Sequence, residues 1–193
     1  MSGSLISIDP GMVGAVVTYL EMRVRPPLPP VPESSLRLER WDPVDPARFR
    51  ALFRRVGGKW LWFSRLAMDD ATLLAKTAEV NAVIAPDGEA VGLLELDFRT
   101  ASESLIRFLG LAPEYAGQGH GKWLFAETLA RSWRADVRRV RVHTCTLDHP
   151  AALPSYLRAG FKAYARAFES FPDPRLAGLL PRDAAPQVPI LDG

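Results

Sequence analysis

Apolar side chains recur at strand spacing along most of the chain. Residues 15–22 are rich in β-branched and aromatic side chains, which favour a strand. Further apolar or alternating runs predict strands at residues 36–41, 81–85, 90–98, 105–111, 138–146 and 161–168. Pro86-Asp87-Gly88 joins two of these runs and has the composition of a hairpin turn. The pattern therefore indicates a sheet whose early strands form hairpins.

Helical periodicity appears between these strands. Residues 45–58 start with Asp-Pro and end with Gly-Gly, and four apolar side chains between them are spaced at i, i+3, i+4 and i+7. Residues 69–78 predict a second, short helix. A broad apolar stripe predicts a helix at residues 121–135, and residues 153–159 form a last helix that Gly160 ends.

A glycine-rich turn precedes the helix predicted at residues 121–135. It contains Gly117, Gly119 and Gly121, separated by single residues. Glycine lets successive backbone N–H groups point at one spot, and a helix start adds unpaired N–H groups and the positive end of its dipole. Strand, glycine turn and helix in this order are typical of a phosphate-binding site. Taken alone, the three glycines fit an ordinary turn equally well.

The stretch around this turn resembles the acetyl-CoA signature of the GNAT (GCN5-related) N-acetyltransferases. The matching residues are the strand end Leu109-Gly110-Leu111, the turn Pro113-Glu114-Tyr115 and the glycine loop 116–121. The family usually has Arg or Gln where this chain has Ala116. A backbone phosphate site does not need that side chain, and Gln118, His120 or Lys122 can compensate for the lost contact.

A second stretch, residues 149–161, resembles the later helix of the same family. Ala152, Tyr156, Gly160 and Phe161 are in register with its pattern, and His149 stands where Asn is usual. By pattern the resemblance covers residues 36–168, and its specific part is residues 109–161.

The resemblance implies an α/β fold with a mixed, mostly antiparallel sheet flanked by helices. The strands at 105–111 and 139–146 should run parallel, because a helix joins them, and should splay apart near Leu111. It also implies transfer of an acetyl group from acetyl-CoA to a primary amine. Tyr156 is then the general acid, since a phenol of pKa about 10 stays protonated at pH 7 beside a thiolate whose conjugate acid has a pKa near 8.5. The residues expected to bind acetyl-CoA are Leu109, Gly110, Leu111, Gly117, Gln118, Gly119, His120, Gly121, Lys122 and His149.

The acceptor amine and the general base are not chosen by the sequence. An amine of pKa about 10.4 is neutral in only about one molecule in 2,500 at pH 7, so a base or a water chain helps. The candidate bases are Glu95, Glu103, Asp148, His143 and His149. A small-molecule amine, a protein N-terminus and a lysine all remain open as acceptors. Trp60, Trp62 and Phe63 are either core aromatics or a wall of the acceptor pocket.

Composition limits the partners. The net charge of +2 argues against nucleic acid, and the arginines between residues 131 and 141 are either a solvated surface or a contact for RNA or for the CoA 3′-phosphate. Cys145, the single cysteine, is interpreted as a small buried apolar residue. Scattered histidines give no metal-ligand spacing. No apolar run reaches the roughly 20 residues of a membrane span, and residues 12–20 lack the basic segment of a signal peptide, so we expect a cytoplasmic protein.

The chain is expected to have three parts. Residues 1–32 contain the first strand and a proline-rich spacer, residues 33–171 form the acetyltransferase domain, and residues 172–193 form an extended tail. The stiff spacer should let the first strand dock on a distant sheet edge, or on a second subunit of a homodimer. The alternative function is a catalytically inactive acyl-CoA-binding regulatory module, which the departures at Ala116 and His149 suggest and the retained Tyr156 argues against.

Overall fold

The computed structural model describes residues 3, 5–27 and 30–192. Within them, strands β1 to β7 are Met12–Met22, Arg37–Arg40, Glu79–Ile84, Ala90–Asp97, Glu103–Leu111, Arg139–Cys145 and Lys162–Pro172. Helices α1 to α4 are Pro46–Gly57, Asp70–Lys76, His120–Ser132 and Ala152–Arg158. Single 3₁₀ turns lie at Gly58–Trp60 and Pro113–Tyr115. The predicted helices and strands are all present, with ends that differ by a few residues.

The strands form one sheet in the order β2-β3-β4-β5-β6-β1-β7. Neighbours run antiparallel except β5 and β6, which are parallel from the Glu103–Arg139 pair to the Ile106–Val142 pair. Pairing stops there, although both strands continue toward Leu111 and Cys145. The α/β fold class and the splay between the two central strands are therefore confirmed.

Helices cover both faces of the sheet. On one face, α1 buries its predicted apolar side chains, including Phe49 and Phe53, against β3 and β4 in a core that α2 joins through Leu73. Asp45 caps α1, accepting a hydrogen bond from the N–H of Arg48 at 2.6 Å. On the other face, α3 and α4 pack on a second core that contains Leu94 of β4 and Val142 of β6.

Strand β1 lies inside the sheet, so the expected edge position is wrong. Val17 pairs with Cys145 of β6 on one side and with Ala167 of β7 on the other. Because β1 lies between two strands, its backbone N–H and C=O groups are paired on both sides. An edge strand would leave the groups on one side unpaired. The expected separation from its sequence neighbour is confirmed, since β2 lies at the far edge of the sheet.

The segment after β7 folds back on the core, contrary to the extended tail expected from its prolines. Asp173 and Arg175 are buried, and Nη2 of Arg175 donates to Oδ2 of Asp173 at 2.6 Å. Nη1 of the same arginine donates to the carbonyl oxygen of Val188 at 2.8 Å, which ties the turns together. Leu180 and Ala185 consequently join the core on the α1 face.

Candidate functional site

A cleft of about 1420 Å³ opens where β5 and β6 separate. Its lining comes from both faces of the sheet. Phe125 and Tyr156 lie on the α3 and α4 side, and Trp62, Phe63 and Arg65 lie on the α1 and α2 side. The gap between the strands therefore joins the two faces into one continuous space.

The free edge of β5 forms one side of the cleft. Leu109, Gly110 and Leu111 line it, and their other edge pairs with Leu94, Leu93 and Gly92 of β4. Because β6 has already diverged, the backbone groups that face the cleft are not paired with β6 and are available to an extended ligand.

The glycine turn presents a row of free N–H groups. Gly117 and Gly119 have φ angles of +76° and +87°, which side-chain-bearing residues rarely adopt. Among the described residues, no protein acceptor binds the N–H groups of residues 117–121. Lys122 was also expected to bind acetyl-CoA, but its N–H is not free, because it donates to the carbonyl oxygen of Gly119 at 3.0 Å.

Only one of the three proposed compensating side chains reaches the cleft. Gln118 donates through Nε2 to the carbonyl oxygen of Glu114 at 2.7 Å, and Nδ1 of His120 lies 2.9 Å from Oγ of Ser34. Both side chains border a separate shallow depression formed with residues 32–35. Lys122 lines the cleft. Lys122 also borders the depression, and it is the one of the three that can replace the family's side chain at Ala116 on the cleft side.

Tyr156 is buried at the cleft, with 7% of its surface exposed. Its ring packs between Phe125 and Phe161, with ring centroids 5.7 and 5.6 Å away. Nothing in the described part of the chain hydrogen-bonds its hydroxyl group. Burial raises the pKa of the phenol above its ordinary value, so the hydroxyl stays protonated across the physiological range.

Two of the candidate bases lie away from the cleft lining. Glu95 is fully buried beneath it, where Arg65 donates to its Oε1 at 2.8 Å and burial raises the pKa of the carboxyl. Glu103 lies at the opposite end of β5, in ion pairs with Arg139 at 3.0 Å and Arg141 at 2.9 Å. Neither carboxylate can contact a substrate in the cleft.

Asp148 and His149 line the cleft but are engaged in local structure. Asp148 accepts hydrogen bonds from Trp62 Nε1 at 3.1 Å and from Thr144 Oγ1 and the Cys145 N–H, both at 2.8 Å. Nδ1 of His149 accepts from the Ala151 N–H at 3.0 Å, at the start of α4. These bonds brace the splayed end of β6 across the cleft.

His143 is the remaining candidate, and its ring is free. It lines the cleft, and its imidazole makes no hydrogen bond to the described residues. Its surroundings in the cleft desolvate the ring and lower its pKa, although one side stays open to solvent. Asp148 and Glu169 oppose this shift, and Arg107 reinforces it. The imidazole is therefore neutral at pH 7 and can accept a proton.

Arg65 and Arg107 were missed in the sequence, although both line the cleft. Arg107 lies in a bulge, since Ile106 pairs with Leu96 and Phe108 with Glu95, which leaves it without a partner on β4. A bulge re-aims side chains near functional sites. The available signal was one charge inside the apolar run at residues 105–111.

The aromatic cluster packs in the core, as one of its two interpretations predicted, and also lines the cleft. Trp62 packs on Phe53 and Phe108, with ring centroids 5.6 and 5.3 Å away, and also lines the cleft. Its indole presses against Gly57, where a Cβ atom would lie 2.4 Å away. Because Gly57 has no side chain, the end of α1 leaves space for the Trp62 indole in the cleft wall.

The arginines of the basic patch do not line the cleft. Arg134 pairs with Glu79 at 2.5 Å, and Arg131 pairs with Glu127 at 3.1 Å within α3. Arg139 and Arg141 pair with carboxylates of neighbouring strands. The solvated-surface interpretation accounts for these contacts.

A sequence comparison shows the family of this chain. The sequence model of the acetyltransferase (GNAT) family matches residues 34–161, so the chain belongs to this family, whose members generally use acetyl-CoA. No curated protein matches the chain in sequence. None of the helices in the described residues is long and apolar enough to cross a membrane.

Solved structures share the fold at low sequence identity. A GCN5-related N-acetyltransferase from Sphaerobacter thermophilus is 20% identical, with a TM-score of 0.55 over 84% of this chain and 52% of its own. A protein described as a GNAT-family acetyltransferase, from Novosphingobium aromaticivorans, is 16% identical, with a TM-score of 0.55 over 86% of this chain and 68% of its own. A conserved protein of unknown function from Staphylococcus epidermidis is 14% identical, with a TM-score of 0.54 over 84% and 63%. The chain spans about half the length of the first of these proteins.

Proposed function

We propose that this protein is an N-acetyltransferase that moves an acetyl group from acetyl-CoA directly to a primary amine. One observation supports this most strongly. The cleft brings together the free edge of β5, the two ends of the glycine turn at Gly117 and Gly121, whose N–H groups are unpaired among the described residues, and Tyr156. Direct transfer needs the thioester and the amine in one space, and the cleft joins both faces of the sheet.

The proposed binding residues fit the parts of acetyl-CoA. The backbone of Leu109–Leu111 would pair with the pantetheine arm, and the N–H groups of residues 117–121 would hold the pyrophosphate. Lys122 adds a positive charge beside them. Acetyl-CoA supplies the activated acetyl group as a thioester.

Tyr156 would protonate the departing thiolate. The hydroxyl lacks a protein partner, so its proton is available to a group in the cleft. A thiol has a pKa near 8.5, well below that of the phenol, so the proton moves mainly as negative charge develops on sulfur. Packing against Phe125 and Phe161 fixes the direction of the ring.

His143 is proposed as the general base. Of the five candidates, it alone combines a place in the cleft with an uncommitted, neutral proton acceptor. It lies on β6, and Tyr156 reaches the same cleft from α4 on the other face. Acid and base would then act from opposite sides of the reacting centre.

The decisive experiment is release of free CoA thiol from acetyl-CoA, measured with and without a pool of primary amines. Amine-dependent release, with acetylated amine detected by mass spectrometry, supports the proposed transferase. Tight binding of acetyl-CoA without turnover for any amine would favour the inactive acyl-CoA-binding module, which the family match and structural neighbours do not support.

Replacing Gly121 by Val is expected to weaken acetyl-CoA binding at least about tenfold, or 1.4 kcal/mol. A Cβ atom at residue 121 meets no protein atom, so the fold tolerates it, but the branched side chain fills space beside the free N–H groups. Calorimetry measures the affinity, and Ala71→Val on the exposed surface of α2 is the control. Unchanged affinity in folded Gly121→Val protein would show that the phosphate site is not at the glycine turn.

His143→Gln is expected to change the pH profile of kcat/KM. Because the pKa of His143 is lowered, its base form is present above that pKa and is lost as the pH falls through it, below about 6.5. With an acceptor amine of high pKa, log kcat/KM in wild type should be flat above the pKa of His143, where the imidazole takes the proton of the ammonium, and should fall with a slope of one below it. His143→Gln should show a slope of one throughout, because only the neutral fraction of the amine then reacts.

The control for this profile is Tyr19→Phe, which alters the ring packed 5.9 Å from His143 without removing the imidazole. Three charged groups face His143, namely Arg107 on β5, Asp148 after β6, and Glu169 on β7. The pH profile is measured with all three intact. An identical break in wild type and His143→Gln would assign the base to another group.

A further inference from the structure

The cleft wall on the α1 and α2 side is cationic. The side chains that line it there include Arg65, Lys76, Arg99 and Arg107. Their carboxylate partners, Glu95 and Asp97, lie behind them and do not line the cleft. A substrate on this side therefore meets guanidinium and ammonium groups first.

Arg107 is held in one orientation with part of its guanidinium free. Its Nε donates to Oδ2 of Asp97 at 2.7 Å, and Nη2 lies 2.6 Å from the same oxygen. Nη1 has no acceptor among the described residues. Arg99 fixes the carboxylate, since its Nε donates to Oδ1 and its Nη2 to Oδ2 of Asp97 at 3.0 and 2.7 Å. Arg107 is thus prearranged to bind an anion, and about a third of its side chain is exposed.

Arg65 adds a second, buried guanidinium to this wall. Its side chain is 4% exposed, and Nη2 donates to Glu95 at 2.8 Å and to the Lys76 carbonyl oxygen at 3.2 Å. Its Nε is buried without a partner in the described part of the chain. A buried donor without an acceptor is rare in native proteins and indicates a bound group or an ordered water. Arg65 lines the cleft, so its charge adds to that of Arg107 on this wall.

The opposite wall has the opposite charge. Asp148 and Glu169 line the cleft near His143. Arg107 and His143 are each the first residue beyond the last β5–β6 pair, so they lie on either side of the splay. An ordinary alkylamine, which is cationic in solution, is attracted to one wall and repelled by the other. An acceptor with an amine and an anionic group matches both.

We propose that the acceptor is a small amino carboxylate, with its carboxylate on Arg107 and its amine beside His143. This assignment rests on the proposed transferase function and specifies its substrate class. A guanidinium matches the planar geometry of a carboxylate, and charge-assisted hydrogen bonds of this kind are about twice as strong as neutral ones. Lys76, whose ammonium has no ion-pair partner among the described residues, adds long-range attraction.

The test compares amino carboxylates with their carboxamides. Alanine, β-alanine and 4-aminobutanoate are each titrated against their own amide by calorimetry, in the presence of CoA at pH 7. The wild-type protein is expected to bind at least one carboxylate about tenfold more tightly than its amide, and Arg107→Gln should abolish that preference. Arg182→Gln, which changes an exposed arginine paired with Asp192, should leave the preference unchanged.

The possible results distinguish a wrong acceptor assignment from a wrong proposed function. Equal affinities for acid and amide throughout the panel would overturn the carboxylate assignment, whether or not amines are acetylated. A preserved preference without thiol release would leave the carboxylate-binding site standing and overturn the proposed transferase function. If Arg107→Gln does not fold, Arg107→Lys serves instead, because it keeps the charge but loses the planar guanidinium, and an unreduced preference in that variant would overturn the placement of the carboxylate on Arg107.

Discussion

Tyr156→Phe is expected to lower kcat by about 10²–10⁴-fold, the usual contribution of a general acid. The substitution removes only the hydroxyl, which has no hydrogen-bond partner in the described residues. The ring keeps its packing on Phe125 and Phe161, so the free energy of unfolding should barely change. Acetyl-CoA affinity should stay within a few fold, because the proposed phosphate site is made of backbone N–H groups on another element.

The measurement is steady-state acetyl transfer with a productive amine, together with calorimetry of acetyl-CoA binding. Tyr164→Phe is the matched control, since this tyrosine on β7 is 46% exposed and does not line the cleft. Near-full turnover in Tyr156→Phe would mean that the phenol is structural and that another group or a water protonates the thiolate.

Deleting residues 1–32 is expected to unfold the protein. Strand β1 buries Val13, Val17, Leu20 and Met22, and each such side chain contributes about 1.5–3 kcal/mol on burial. Their sum approaches the entire stability of an ordinary domain, about 5–15 kcal/mol. The deletion would also leave β6 and β7 without their shared partner. An edge strand could be removed with only a change in oligomeric state or solubility. Removal of an inner strand is expected to unfold the domain.

Circular dichroism and thermal unfolding test the deletion. Removing residues 1–7 alone is the control, because it leaves the Met12 N–H bonded to the carbonyl oxygen of Asp9 and all of β1 in place. A soluble product of the longer deletion that melts cooperatively near the wild-type temperature would show that β6 and β7 can form the sheet without β1.

Local signals in the sequence were sufficient for most elements and for part of the site. Asp45 and the paired glycines mark the ends of α1, and the spacing of Gly117, Gly119 and Gly121 marks the turn with free N–H groups. Tyr156 was proposed from the resemblance of residues 149–161 to the family's later helix, and the structure places it at the cleft. These features depend on residues within one or two turns of each other, which a sequence displays directly.

Non-local contacts explain what the sequence did not reveal. The pairing partners of β1 lie more than a hundred residues away, and no local pattern distinguishes an inner strand from an edge strand. Five polar side chains were equal candidates for the base until the structure showed which line the cleft. The role of Arg107 depends on a bulge and on Asp97 from the neighbouring strand, so composition alone could not reveal it.

The inner position of β1 also has a consequence for synthesis of the chain. A ribosome makes β1 before every other strand, whereas its partners β6 and β7 are made last. At translation rates of about 5–20 residues per second, the strand waits on the order of ten seconds for them. During that time its β-branched and aromatic side chains have no sheet to join and are available to chaperones. The proline-rich composition of the following segment favours a stiff spacer between the waiting strand and the strands that are made after it.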